Sequence, residues 1–275
     1  MVRTFAAAAI FLWLASFASA QTPPPAATTS APLAKPAVKK PAAKAKTAAK
    51  PTDDGRCDLG VIPVVGSPVA VKKIGLTVFG NEYSEVPSDA WGIDELIVAR
   101  VRAATGNGIA VRRITYGSEA LYELYEKPGK GFFNNPRENL TVAVQHIVAN
   151  SHSHCSRYLI ATKSAGNLAG TNQSLQGIGV LMLGPFGRAT VFAYFALAVF
   201  DGQTFAIHED PFGSLGARLS ASLSRIAKDE FLRPADGAEF PGSPEAAAKD
   251  PKLRDAARIL VAERLDKILP EYLKP

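Results

Sequence analysis

"GVLMLGPFGRATVFAYFALAVF", residues 179–200, decides the fold. It is 22 residues long and Arg188 is its only charge. That length and apolarity match what a membrane-spanning helix requires. Its centre, "GPFGR", is turn chemistry, however, and Phe, Val, Tyr and Ala dominate the half that follows. The stretch therefore predicts two buried strands on either side of a turn. The second, "RATVFAYFALAVF", is apolar on both faces, as a central strand covered on both sides must be.

The surrounding sequence extends the sheet. Asp201-Gly202 is a hairpin signal, because Asp-Gly suits a type I′ turn, and "QTFAIHE" at 203–209 is expected to pair back across it. Upstream, "RYLIATK" at 157–163 and "GIGVLMLG" at 177–184 read as strands joined by a Gly/Asn/Ser loop. The first strong strand is "KKIGLTVFG", residues 72–80, with a short one at "VIPVV" before it and a polar loop, "NEYSEVPSD", after it. "AWGIDELIVARVRAATG" has helical spacing, with Trp91, Leu96, Ile97 and Val101 on neighbouring faces and Gly106 as its stop. "GIAVRRITYG" returns as a strand, and Ser118 caps a short helix over 119–126. Asn135, Pro136 and Glu138 mark a helix start, with that helix running to about Asn150. Two helices close the chain. One stripe is Leu215, Leu219, Leu223 and Ile226; the other is Leu253, Ala257, Leu260, Val261 and Leu265, with a Pro/Gly loop at 233–244 between them. The order predicts an α/β (α+β) fold: a mixed sheet with parallel crossovers in the first half and an antiparallel meander in the second, covered by helices.

The amino-terminal region lies outside that fold. Residues 1–20 read as a cleaved secretory signal peptide. Arg3 is followed by a 13-residue apolar run, "FAAAAIFLWLASF", and by "ASA" before Gln21. Residues 21–55 hold 7 Pro, 10 Ala and 6 Lys and no aromatic residue. Such a disordered linker cannot offset its ordering entropy, and its alternating Pro and Lys keep it extended. It reads as a spacer, or as a tether touching an anionic cell wall or membrane surface. Residues 56–275 are expected to form a single globular domain of net charge about +1, so the basic balance lies in the linker and nucleic-acid binding is not expected. No transmembrane span is expected in the mature chain, which is placed in the periplasm. Cys57 and Cys155, the only two cysteines, are expected to form a disulfide in that oxidising compartment.

Element order and phrases such as "KKIGLTVFGNEYS", "GIDELIVARVRAATGNGIAVRRI", "SRYLIATKSAG" and "AYFALAVFDGQTFAIHE" resemble the superfamily of the TolB amino-terminal domain and the curli-secretion lipoprotein CsgG, over roughly residues 72–232. The acylated cysteine of the lipoprotein members is absent, and the final helix pair departs from the pattern. The resemblance implies an envelope protein that binds other proteins and carries no catalytic residues.

Candidate chemistry is sparse. Ser164 follows a strand in T-K-S-A-G, but a hydrolase elbow needs Gly where Thr162 stands and a helix afterwards. Asp201 and His208 would be its acid and base. His152 and His154, beside Cys155 and after His146, have metal-ligand chemistry, weakened if Cys155 is in a disulfide. Glu82 and Glu85 flank a loop where ligand sites of α/β sheets lie, and the "GNG" at 106–108 follows a helix, which argues against a dinucleotide loop. Tyr122, Tyr125, Phe132 and Phe133 form an aromatic cluster that is either core or a partner-binding loop. The expectation is an exported protein acting non-enzymatically on an envelope protein or cell-wall surface, with no cofactor. A serine hydrolase using Ser164 and a metal-binding module using His152 and His154 are the alternatives.

Overall fold

The computed structural model describes residues 57–75, 80–87, 89–117, 136–168, 171, 173–184, 187–208 and 230–274. Several sequence expectations lie outside these residues: the leader at 1–20, the linker at 21–55, the Ser118-capped helix, Asn135, the four-aromatic cluster, and residues 213–229 of the first closing helix.

One mixed sheet of nine strands organises the described residues. In chain order these are β1 (Leu59–Val64), β2 (Val69–Ile74), β3 (Glu82–Val86), β4 (Val111–Arg113), β5 (Arg157–Lys163), β6 (Ala165–Asn167), β7 (Ser174–Leu183), β8 (Thr190–Asp201) and β9 (Leu232–Pro234). The spatial order is β3-β2-β7-β8-β5-β1-β4, with β6 on β7 and β9 on β8. β1 runs parallel to both β4 and β5, and β2 parallel to β7; the remaining pairs are antiparallel. The 179–200 stretch is thus two strands: β7 ends just before Gly184, whose φ of 71° turns the chain, and β8 follows. No helix among the described residues is long and apolar enough to cross a membrane.

Registers show how these strands share edges. β8 pairs with β7 along Thr190–Tyr194 and with β5 along Phe195–Asp201. β1 lies along β5, and β2, which follows β1 after a bend at 65–68, lies along β7. The bend contains a cis Ser67–Pro68 peptide.

Among the described residues four helices cover the sheet: α1 (Ile93–Thr105), α2 (Pro136–Ser151), α3 (Pro244–Lys249) and α4 (Pro251–Tyr272). Alternate residues of β1 feed opposite faces. Leu59 and Val61 join Ile97, Val101, Leu260 and Leu265 of α1 and α4, whereas Ile62 and Val64 join Val144 and Ile147 of α2. A third cluster, around Leu181, Phe192 and Tyr194, fills the β7–β8 end. Trp91 is fully buried, and its Nε1 donates to Ala248 O at 2.9 Å, fixing the 3-10 turn at Asp89–Trp91, just ahead of α1, to α3. The predicted stripe on the last helix is borne out: Leu253, Ala257, Leu260, Val261 and Leu265 are all buried. Gly106 terminates α1 at φ 68°, as expected of a C-terminal glycine.

Four details differ from the sequence reading. "VIPVV" belongs to the central strand β1, buried at every position, because its Val/Ile run is covered on both faces. "NEYSEVPSD" is largely the edge strand β3, where exposure permits the polar side chains that made it read as a loop. The loop after Ser164 contains β6, and the 233–244 loop is bounded by β9, which ends at Pro234, and by α3, which begins at Pro244, elements too short to carry a hydrophobic period. Asp201-Gly202 does not form a two-residue type I′ turn. The bridge Phe200↔Ile207 encloses residues 201–206, and the left-handed residue is Phe205, at φ 55°. Gly202 is needed instead for close packing: a Cβ there would lie 2.0 Å from Cys155 O.

Candidate functional site

The expected disulfide is present, joining Cys57 to Cys155 across a sequence separation of 98. It sits in the α2-side core with Ile62, Val64, Ile147 and Val148. The buried Tyr158 hydroxyl holds the adjoining loop, donating to Ser153 O at 2.9 Å and accepting from Cys155 N at 3.0 Å. Cys155 is therefore unavailable to a metal. His152, at φ 49°, and His154 are both exposed on this loop, and no group of three or more metal-ligating residues exists among the described residues.

The structure does not bring Ser164, Asp201 and His208 together. Ser164 passes from β5 into β6, a strand rather than an elbow helix; its N–H donates to Tyr194 O at 3.0 Å, and its carbonyl accepts from Gly177 N at 3.0 Å. Asp201 pairs with Arg157 at the other end of β5, about 20 Å away at the rise of a strand. The Asp201 carboxylate accepts from Thr204 N, Thr204 Oγ1 and Gln203 N, bonds that hold it below the usual carboxylate range. Its task is the hairpin.

Glu82 and Glu85 lie three residues apart on β3 and so point to opposite faces. Glu82 pairs with Lys73 Nζ at 3.1 Å, and Glu85 accepts from Tyr83 Oη at 2.6 Å. Tyr83 is pushed up from the ordinary phenol range, first by burial and then by that bond. Gly106–Gly108 is a 3-10 turn closing α1, as the helix-first context implied.

Two clefts among the described residues have the lining of a site. The first, about 240 Å³, lies where the sheet edge is interrupted, with β4 paired to β1 and β3 to β2. At the intervening bend no strand takes the Gly66 N–H; it donates to Asp94 Oδ1 at 2.9 Å. Asp94 Oδ2 accepts from Tyr116 Oη at 2.9 Å and lies 4.0 Å from Arg113 Nη2, while Glu95 pairs with the same guanidinium. Burial pushes the Asp94 carboxyl up, against the opposing pull of Tyr116, Gly66 and Arg113. Lys163 reaches this bend from β5, donating to Pro68 O at 2.9 Å, and burial lowers its ammonium pKa. The first turn of α1, the bend after β1 and the end of β4 thus converge at the carboxyl ends of the parallel strands β1 and β4, with α1, which precedes β4, on one face and α2, which follows it, on the other. Ligand crevices of α/β sheets open at that kind of place. Sequence reasoning missed Asp94, Tyr116 and Lys163, because 22 residues separate the first two and only the fold joins them.

The second cleft, about 180 Å³, is lined by Arg157, Val199, His208, Glu271, Tyr272 and Lys274. It lies where β5 begins, the 206–208 segment closes its hairpin and α4 ends.

No protein-family model, curated protein or solved structure matches this chain.

Proposed function

We propose that the chain is an exported envelope protein. In this reading a cleaved leader at 1–20 sends it to the periplasm, residues 21–55 tether it, and the folded part works by protein or cell-envelope contacts without catalysis. The observation that carries the reading is the Cys57–Cys155 disulfide, formed from the only two cysteines of the chain. Disulfides persist in oxidising compartments, and Cys57 follows directly on the Pro/Ala/Lys segment and the leader pattern. The resemblance to the TolB amino-terminal domain and CsgG supports an envelope role carried by binding. The separation of Ser164 from Asp201 and His208 supports a non-enzymatic one.

Cell fractionation with intact-mass analysis tests the proposal. It expects a periplasmic species beginning at Gln21 and two mass units lighter than the dithiol form. A full-length, reduced species in the cytoplasm would overturn it.

A further inference from the structure

Where β4 ends, beside the first cleft, three oxygens compete for one hydrogen. Val61 O, on the β4-facing edge of β1, accepts from Ile114 N at 2.8 Å. Two residues on, Pro63 O faces the same edge, past Arg113, the last residue of β4. The Tyr116 hydroxyl stands in for the missing strand, with Oη 2.7 Å from Pro63 O. The same Oη lies 2.9 Å from Asp94 Oδ2. A phenol has a single hydrogen, whereas a carbonyl oxygen and an ionised carboxylate only accept. Both contacts are therefore full hydrogen bonds only when Asp94 carries a proton on Oδ2. Asp94 then donates to Tyr116 Oη, and Tyr116 donates to Pro63 O. With Asp94 ionised, the charged acceptor is the stronger of the two, and it draws the hydroxyl hydrogen away from Pro63 O. Asp94 Oδ1 accepts from Gly66 N in either state.

Among the described residues, the charges around Asp94 leave that choice to the proton. From β4, Arg113 Nη2 stays 4.0 Å from Asp94 Oδ2, and Arg113 Nη1 donates to Glu95 Oε1. From the 3-10 turn ahead of α1, Asp89 adds a carboxylate to the cleft wall. From β5, Lys163 donates to Pro68 O and lies in the field of both Asp94 and Glu85 of β3. From α4, Arg258 donates to Trp91 O and Gly92 O and reaches Glu95 electrostatically. Three cations thus face three carboxylates about Asp94. Burial, which disfavours the ionised form, tips the balance toward the proton.

We propose that Asp94 and Tyr116 form a pH-sensitive latch on the first cleft: a proton on Asp94 returns the Tyr116 hydrogen to Pro63 O and closes the open edge of β1, and its loss to water turns that hydrogen to Asp94 Oδ2 and releases the edge. One proton is exchanged with solvent and no other bond is made or broken. The bend at 65–68 stays tied to α1 through Gly66 in both states, so the moving part is the segment around Tyr116. The latch is independent of the compartment in which the chain works.

A pH titration of the disulfide-bonded chain by heteronuclear NMR tests this, following the carboxyl carbon of Asp94 and the carbonyl carbon of Pro63. The Asp94 signal is expected to titrate above the ordinary carboxylate range, and the Pro63 signal to move with the same midpoint as it loses its donor. In Asp94→Asn, whose side-chain amide donates to Tyr116 Oη at every pH, the Pro63 signal should stay at its low-pH position. In Tyr116→Phe it should stay at its high-pH position. A Pro63 carbonyl that does not follow Asp94 in the parent overturns the inference, whatever becomes of the variants. A Pro63 shift that persists in Asp94→Asn also overturns it, by assigning the titration to Glu95 or Asp89.

Discussion

Reducing the Cys57–Cys155 bond should cost more stability than any single side-chain truncation on the α2 face. The bond closes a loop with a sequence separation of 98, for which the chain-entropy relation gives about 4.7 kcal/mol of destabilisation of the unfolded state. Reduction of the parent isolates that cross-link, because both sulfurs remain buried beside Ile62 and Ile147. Urea unfolding can be followed through Trp91, which is fully buried and is the only tryptophan after residue 20. With an m-value of about 2–3 kcal/mol/M for a chain of this size, the midpoint should fall by about 1.6–2.4 M on reduction. The slope should also steepen, since the unfolded chain gains reach. A midpoint shift worth less than about 1 kcal/mol would refute the reasoning, by showing that this part of the chain is held together equally well without the bond.

Three further outcomes follow from named contacts. Tyr158→Phe leaves the buried Cys155 N–H without its hydroxyl partner and should cost about 1–3 kcal/mol in the same urea assay. Gly202→Val forces a Cβ onto Cys155 O and should cost about 2 kcal/mol or more, against little change for Gly108→Ala, where the added carbon meets open space. Asp94→Asn tests the interrupted sheet edge through pH. Because the folded pKa of Asp94 is raised, protonation favours the fold; its contribution is fully present below the unfolded carboxyl pKa and is lost as pH rises through the folded one. The parent should therefore lose stability relative to Asp94→Asn across that window, and parallel pH profiles for the two proteins would contradict the assignment.

Much of the sheet was legible because its strands carry their own signal. Thr190–Asp201 is apolar on both faces, and the turn chemistry at 184–188 splits it from β7 before any fold is assumed. The last helix was equally legible, since the stripe from Leu253 to Leu265 gives its buried face, and the structure adds Asp250 as its cap and Pro251 in its first turn. β3 was not, because an exposed edge strand needs no hydrophobic alternation, and its Glu82, Tyr83 and Glu85 read as loop residues. Asp201-Gly202 misled for a different reason. A type I′ turn uses glycine for its backbone freedom, whereas Gly202 is there because Cys155 O leaves no room for a side chain. The candidate sites lay beyond sequence reasoning almost entirely. Asp94, Tyr116 and Lys163 come from three elements, and only the interrupted pairing beside Gly66 makes them neighbours. The disulfide was the exception, since two cysteines in an oxidising setting admit one pairing.

Site-specific photo-crosslinking in intact exporting cells tests the central claim most directly. A photoreactive residue replaces, in turn, Lys274 after the end of α4, Tyr83 on the edge strand, Val142 on α2 and Ile259 on α4, all exposed positions. The account predicts adducts with an envelope component from at least one of these exposed positions, and no labelling of Ser164 by a fluorophosphonate probe in the same cells. Absence of adducts at every position, together with fluorophosphonate labelling that disappears in Ser164→Ala, would contradict it and make the chain a hydrolase.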